Sequence, residues 1–308
     1  MTENIGKVKL ITDLWPGRDL YSDGEIEDEL LRIAETVPPE RFDEVVAESG
    51  SWPVMYHFSS IRENIISWYP FRGDEKVLEI GSGCGAVTGA AAKRCASVTC
   101  VELSKKRSLV NANRNRDRSN ITIHLGNFED VEKTLPDDFD IVTLIGVFEY
   151  GSGYLSTKTP YRDFLRTALR HLRPGGKVLI AIENRFGLKY FAGCTEDHTG
   201  GFFDGIEGYE GQNRVHTFTR PELEAIFEEA GADTWEFYYP YPDYKFPMAV
   251  YSDRWLPKKG ELSDNLVNFD RMRVQLFHED KVYDSIADTG LFPVFSNSFF
   301  VEVGRSGS

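Results

Sequence analysis

The sequence predicts an α/β protein: a doubly wound, mostly parallel sheet behind a helical N-terminal cap. Three observations predict it. From Lys76 onward, short apolar runs alternate with amphipathic helical patterns, as βαβ units require. Three alternate glycines, Gly81, Gly83 and Gly85, stand at the first strand-to-helix turn. Ahead of Lys76, apolar residues recur at helical spacing instead.

In chain order, Ser22 and Glu25 read as a capping box for a helix that places Ile26, Leu30, Ile33 and Val37 on one face and ends at Pro38. Phe42, Val45 and Val46 suggest a second short helix before Gly50. Ser60 with Glu63 suggests a third, through Ile61, Ile65 and Trp68 to Pro70. Strands are expected at Lys76–Ile80, Ser97–Leu103, Ile121–Leu125, Phe139–Ile145, Lys177–Glu183, Thr234–Tyr239 and Ser298–Val303. Helices are expected at Ala86–Cys95, Ser104–Asp117 and Tyr161–Leu172, from Thr219 to Gly231, and around Leu266–Phe277. The resulting division is a helical cap over residues 1–72 and a ligand-binding domain over 73–308, with insertions at 184–215 and 241–297 on the second-substrate side.

Composition narrows the function. In 308 residues, 35 basic against 49 acidic side chains give a net charge of −14, which argues against nucleic acid as the main partner. The acid is uneven: residues 1–54 hold thirteen Asp/Glu and five Lys/Arg, whereas Lys93–Arg118 holds eight basic and two acidic residues. Solvated helix faces are the plain reading of both. No apolar stretch approaches the ~20 residues of a bilayer span, and the N-terminus shows no signal-peptide pattern. Cys84, Cys95, Cys100 and Cys194 form no CxxC, so free thiols in a reducing cytoplasm are expected. Nothing in the sequence sets the oligomeric state.

The densest chemical signal is Val77-Leu78-Glu79-Ile80-Gly81-Ser82-Gly83-Cys84-Gly85. A strand running into alternate glycines lets the backbone turn sharply and approach a ligand lying across the strand ends. The spacing is G-x-G-x-G rather than the G-x-G-x-x-G of dinucleotide folds, and no Gly-Lys-Ser/Thr follows. Glu102 ends the second strand, where a carboxylate can accept hydrogen bonds from a ribose diol. Asn127 follows the third strand, where an amide can read an adenine edge with Phe128 beside the ring.

Together these residues resemble the class I S-adenosylmethionine-dependent methyltransferases. Glu79, Gly81, Gly83 and Gly85 match the family's first motif, and Glu102 its ribose-binding acid. Asn127 falls where the family usually carries an Asp, and it keeps an acceptor oxygen. Asp140-Ile141-Val142 with Gly146-Val147-Phe148-Glu149-Tyr150 resembles the fourth-strand motif, and Leu172–Lys177 the turn before the fifth strand. The resemblance implies S-adenosylmethionine as cofactor and a Rossmann-like, seven-stranded sheet whose last strand is antiparallel. It implies cofactor contacts from Glu79, Gly81, Ser82, Gly83, Gly85, Glu102, Leu103, Asn127 and Phe128, with Tyr56 and Arg62 closing over the ligand. The flanks, Trp52–His57 through Tyr69–Phe71 and Glu183–Gly187, resemble a bacterial subset linked to sugar or surface-polysaccharide pathways.

The expected reaction is methyl transfer to a hydroxyl of a small-molecule or saccharide acceptor. Glu149 and Tyr150 follow the fourth strand, where acceptors lie in this family, and Glu183, Asn184 and Arg185 follow the fifth. His198 is the candidate base, in a loop beside Glu196 and Asp197, whose carboxylates would favour its charged form and orient its ring. Those three neighbours converge poorly on a cation, so no metal is expected. Aromatic residues in 184–215 and 235–251 suit a sugar or small polar acceptor. The alternatives are N-methylation of an amine or peptide side chain, a nicotinamide oxidoreductase, and a non-catalytic cofactor-binding module.

Overall fold

The computed structural model describes residues 1–19, 22, 24–155, 157–211, 215–263 and 273–305. They form two compact units, Met1–Leu144 with Ala168–Lys177, and Ile145–Thr167 with the chain from Val178 on.

The first unit opens with a hairpin, β1 (Thr2–Ile5) and β2 (Val8–Leu14), which corrects the expectation of an all-helical start. Val8 and Leu10 are buried while Lys9 is exposed, so β2 has the period of a strand, over too few residues to stand out. Four helices follow: α1 (Ile26–Thr36), α2 (Phe42–Ser49), α3 (Trp52–Phe58) and α4 (Asn64–Ser67). Ser22 does not cap α1. Its hydroxyl donates to Glu27 (2.7 Å), and Ser59 rather than Ser60 caps the turn before α4, accepting from the Ile61 N–H.

The βα alternation then runs β3 (Lys76–Ile80), α5 (Thr88–Ala92), β4 (Ser97–Glu102), α6 (Lys105–Arg114), β5 (Ile121–Gly126), α7 (Phe128–Val131) and β6 (Phe139–Ile145). The strand order in this unit is β1-β2-β5-β4-β3-β6, parallel from β2 to β6. Such an order puts the carboxyl ends of β3, β4 and β5 side by side, where the loops that follow them gather.

The helices of residues 1–72 share one core with the glycine loop and α6. Leu30, Ile33 and Ala34 pack with Phe42, Val54, Phe58, Cys84 and Val110, and the rings of Phe42 and Phe58 are 4.7 Å apart. The acidic and basic segments are not simply solvated faces: Arg107 pairs with the buried Glu27 (2.8 Å) and Lys106 with Asp28 (2.7 Å).

The second unit contains α8 (Gly151–Tyr154), α9 (Pro160–Arg170) up to Thr167, β7 (Leu172–Glu183) from Val178, α10 (Leu188–Phe191), α11 (Arg220–Ala230), β8 (Thr234–Tyr241), β9 (Ala249–Ser252), α12 (Glu279–Ala287), α13 (Phe292–Phe295) and β10 (Ser298–Gly304). Its strand order is β7-β10-β8-β9, with β10 antiparallel to β8 and β8 antiparallel to β9. The capping box of Thr219 and Glu222 forms on α11, and Gly231 closes that helix in the left-handed conformation.

The described residues thus hold ten strands, not seven. The hairpin and β9 are the three additions to the strands expected from the sequence. Of the helical pattern expected around Leu266–Phe277, residues 264–272 lie outside the described residues, and the next helix begins at Glu279. Most of the aromatics of 235–251 are core: Phe237 and Tyr239 are fully buried, and Phe237 meets Phe299 edge-on at 5.4 Å.

The shared core gives a direct expectation. Leu30→Ala removes a side chain that is 1% exposed and should lower stability by about 2–5 kcal/mol in chemical denaturation, against near-neutral cost for a free-standing cap.

Candidate functional site

In the first unit, the strand–glycine–helix turn is held by the second strand. The N–H of Gly81 donates to the Val101 carbonyl (2.9 Å) and the N–H of Gly83 to the Glu102 carboxylate (2.7 Å). The other oxygen of Glu102 accepts from the N–H groups of Leu103 and Ser104, each at 2.9 Å. A carboxylate has about four acceptor positions, so three are taken by backbone and one remains for a ribose hydroxyl. Glu102 is therefore both a ligand candidate and the tie that fixes the loop.

The glycines divide by role. Gly85 (φ +74°) is demanded by packing, since a Cβ there would meet the Asn111 side-chain oxygen at 2.3 Å. Gly83 (φ +51°) has nothing within 4 Å of where a Cβ would stand, so the loop leaves open space on that side. Beside it the buried Ser82 hydroxyl has no hydrogen-bond partner among the described residues. Open backbone and an unspent hydroxyl at the strand ends fit an adenosyl cofactor.

The remaining expected contacts are placed as follows. Glu79 is buried, accepting from the Thr88 hydroxyl (2.6 Å) and the Cys100 thiol (3.6 Å), so it ties β3 to α5. Burial pushes its carboxyl up to about 7, against those two bonds, with Glu102 adding and Arg114 opposing. Asn127 caps α7, its side-chain oxygen accepting from the Glu129 N–H (3.3 Å). Phe128 is buried, and Leu103 is half-buried. The Arg62 guanidinium stacks over the Tyr56 ring, 4.4 Å from its centroid.

The second unit carries a separate cluster. Glu149 lies in a single helical turn just after β6, Glu183 is the last residue of β7, and His198 sits in the loop that follows α10. His198 Nε2 is 3.7 Å from Glu183, and its Nδ1 is 3.2 Å from the Tyr150 hydroxyl, whose ring stands edge-on to the imidazole at 5.3 Å. The sequence reading gave the orientation of the His198 ring to Glu196 and Asp197, and the structure corrects this. The side chain is only 10% exposed. Glu196 accepts the backbone N–H groups of His198 and Thr199 (2.7 Å each) and the Tyr209 hydroxyl, while Asp197 turns to Lys189, Lys245 and Tyr190.

Behind the cluster lies a buried ion network that pattern reading missed. Lys245 bridges Glu183 (2.6 Å) and Asp197 (2.7 Å), and Lys189 bridges Asp197 (2.8 Å) and Asp243 (2.9 Å). Glu183 is among the residues the sequence places at the end of the fifth strand; Lys245, in an aromatic run, offers no signal.

The environment splits the two glutamates. Burial alone would raise Glu183, but Lys245 and His198 outweigh it and hold its carboxyl below the usual range. Glu149 is pushed up to about 8, by burial first and then by the negative charge of Glu183. Burial opposes the charged form of His198, yet Glu183, Glu149 and Glu196 raise it to about 9. The three groups face one another, so the cluster handles protons as a unit.

Residues 78–180, about a third of the chain, match the family model described as a methyltransferase domain. The ubiquinone biosynthesis O-methyltransferase of Pseudomonas syringae pv. tomato is 26% identical over 133 residues, covering 42% of this chain and 54% of that protein. That of Hydrogenovibrio crunogenus is 24% identical over 139 residues, covering 45% and 55%. The chain thus spans about half the length of the curated relatives it matches. Among solved structures, a chain of the complex between a methyltransferase activator and a methyltransferase of Haloferax volcanii aligns with a TM-score of 0.49 and 16% identity over 94% of this chain and 99% of that one. Over residues 78–180 the chain carries a methyltransferase domain.

Two expectations follow from the first unit. Glu102→Ala should abolish calorimetric binding of S-adenosylhomocysteine; unchanged affinity contradicts the role given to Glu102. For Glu79, a carboxyl raised from 4.5 to about 7 stabilises the fold fully below 4.5, and that contribution is lost as pH rises through 7. Cofactor-free protein should lose on the order of 3 kcal/mol over that window, and Glu79→Gln should flatten the loss in denaturation series across pH.

Proposed function

We propose that this chain methylates a hydroxyl of a small-molecule acceptor, with S-adenosylmethionine as donor. The observation that supports it is the Glu149–Glu183–His198 cluster: three buried proton-exchanging groups gathered just past the ends of β6 and β7, with the Glu183 carboxylate held in its charged form. An amine acceptor needs only to arrive unprotonated, whereas a hydroxyl must lose its proton as the new bond forms. A site built to receive a proton suits the hydroxyl.

S-adenosylmethionine, when bound, supplies an activated methyl on a cationic sulfur. An acceptor hydroxyl that took this methyl would give up its proton, which the Glu149–Glu183–His198 cluster is placed to receive. Glu102 and the glycine loop would hold the adenosyl part, with Asn127 and Phe128 at the adenine. Glu149, Glu183 and His198 would take up the charge that appears on the oxygen side, Tyr150 fixing the imidazole through Nδ1. The curated relatives, named for O-methylation in ubiquinone biosynthesis, agree with transfer to oxygen.

A saccharide acceptor is the narrower form of this reading. It draws support from Phe202, exposed, and Phe203, half-buried, adjacent rings in the loop after His198 on which a sugar face can stack.

An acceptor panel of phenols, sugars and amines, followed by mass spectrometry, tests the proposal. O-methyl products are expected, and His198→Ala should lower kcat by about 10²–10⁴ while leaving S-adenosylhomocysteine affinity unchanged. Methylation confined to amines, with full turnover in His198→Ala, overturns it. A greater thermal shift with NAD than with S-adenosylhomocysteine would point instead to an oxidoreductase.

A further inference from the structure

We infer that Glu149, Glu183 and His198 form a binding site for one divalent transition-metal ion of the Mn²⁺, Fe²⁺ or Zn²⁺ class. Each residue offers one donor atom, and the three donors lie within 4.8 Å of one another. A cation entering between them needs only small side-chain adjustments to reach bonding distance from all three.

Two of the donor atoms are buried without a hydrogen bond among the described residues. The Glu149 side chain is 1% exposed, and its Oε2 is buried with no hydrogen-bond partner among the described residues. His198 Nε2 is likewise buried and without such a bond, while Nδ1 is engaged by the Tyr150 hydroxyl. A histidine held through one ring nitrogen, with the other free and aimed at carboxylates, is the arrangement metal ligands take. An unmet buried carboxylate oxygen is costly unless something fills the place beside it.

The positions are rigid. The Glu149 carbonyl accepts from the His216 N–H (3.3 Å) and the Tyr161 hydroxyl (3.2 Å). Glu183 is fixed by its strand, and the backbone around His198 by Glu196.

Charge also favours a cation. With Glu149 ionised and His198 neutral, the state a bound cation requires, Glu149, Glu183, Glu196, Asp197 and Asp243 carry five formal negative charges against two on Lys189 and Lys245, a surplus of 5 − 2 = 3, so the ion enters as protons leave. Lys245 occupies Glu183 Oε1, which leaves Oε2, on the side of His198, for the ion.

The donor set selects the class. One imidazole nitrogen with two carboxylate oxygens suits borderline ions; it has too few oxygens for Ca²⁺, which takes six to eight. Three protein ligands leave coordination positions open to water or a substrate oxygen. On the reading that the chain methylates a hydroxyl, a cation there would hold the acceptor oxygen and lower its pKa. That consequence rests on the proposed reaction; the binding does not.

The test is Mn²⁺ binding to chelator-stripped full-length protein, read by loss of the free-ion electron paramagnetic resonance signal, with Zn²⁺ competition. One ion per chain is expected. Glu149→Gln and His198→Ala should each weaken it by at least about tenfold. Asp130→Asn, on an exposed side chain of the first unit, should bind as the parent does. Retained S-adenosylhomocysteine binding shows that the variants fold. No binding up to millimolar Mn²⁺ or Zn²⁺, or parent-like binding in both ligand variants, overturns the site. If chelated protein still methylates hydroxyls at full rate, the metal's part in the reaction fails and the reaction stands. If the ion binds and no hydroxyl is methylated, the site stands and the reaction fails.

Discussion

The glycine loop of the first unit depends on one carboxylate. Glu102 accepts three backbone N–H groups, one from the glycine loop after β3 and two from its own strand's exit. Hydrogen bonds to a charged acceptor are worth about 1.5–3 kcal/mol each, so this residue is the strongest point fastening the loop to β4. Burial works against its charge, and the net effect is a carboxyl held above its ordinary range even with those bonds. Such a group is stable only while every donor stays in place. The open space at Gly83 and the free Ser82 hydroxyl are consequences: the loop is shaped by Glu102 before any ligand arrives, which is the preorganisation that keeps ligand binding from ordering the backbone.

Around that point the first unit is organised by charge as much as by apolar packing. Asp19 accepts the Lys105 N–H (2.7 Å) and lies within reach of Ser104 and Lys106, covering the N-terminus of the helix that follows Glu102. Acid at a helix N-terminus complements the partial positive charge there. Glu27, itself buried, pairs with Arg107 one turn further on. The acidic first sixth of the chain and the basic stretch Lys93–Arg118 are thus partly each other's counter-charge. The net −14 reflects what is left over rather than a surface made for a basic partner.

Legibility followed sequence distance. Strand β3, its glycines, Glu102 and Asn127 could be read because each is a local pattern: an apolar run, then residue types fixed by the turn that follows. The start of α11 at Thr219 and its end at Gly231 were local too, and they formed as read. The hairpin β1–β2 was not legible, because two buried side chains in seven residues do not distinguish a strand from a loop. Nor were the partners of His198. Its sequence neighbours Glu196 and Asp197 looked like the orienting acids, but the loop turns them to backbone amides and lysines, and the ring meets Glu183, fifteen residues upstream, and Tyr150. Lys245 reaches the cluster from outside any motif.

The buried ions of the second unit are harder to justify by stability than the core beside them. Each ion removed from water costs several kcal/mol, and well-packed apolar groups of similar volume often serve a fold as well or better. The network of Lys189, Asp197, Lys245 and Asp243 is at least internally satisfied, each charge meeting an opposite one. The cluster it supports is not: Glu149 Oε2 and His198 Nε2 stay without hydrogen bonds in a place where that is expensive. Lys245 joins the two, spending its charge on both Asp197 and Glu183 and so fixing which oxygen of Glu183 faces His198. A fold that completes one buried network and leaves its neighbour incomplete leaves the incomplete one open to something from outside, a proton, a cation or an acceptor oxygen. That asymmetry, more than any single residue in it, is what supports the site proposed in the second unit.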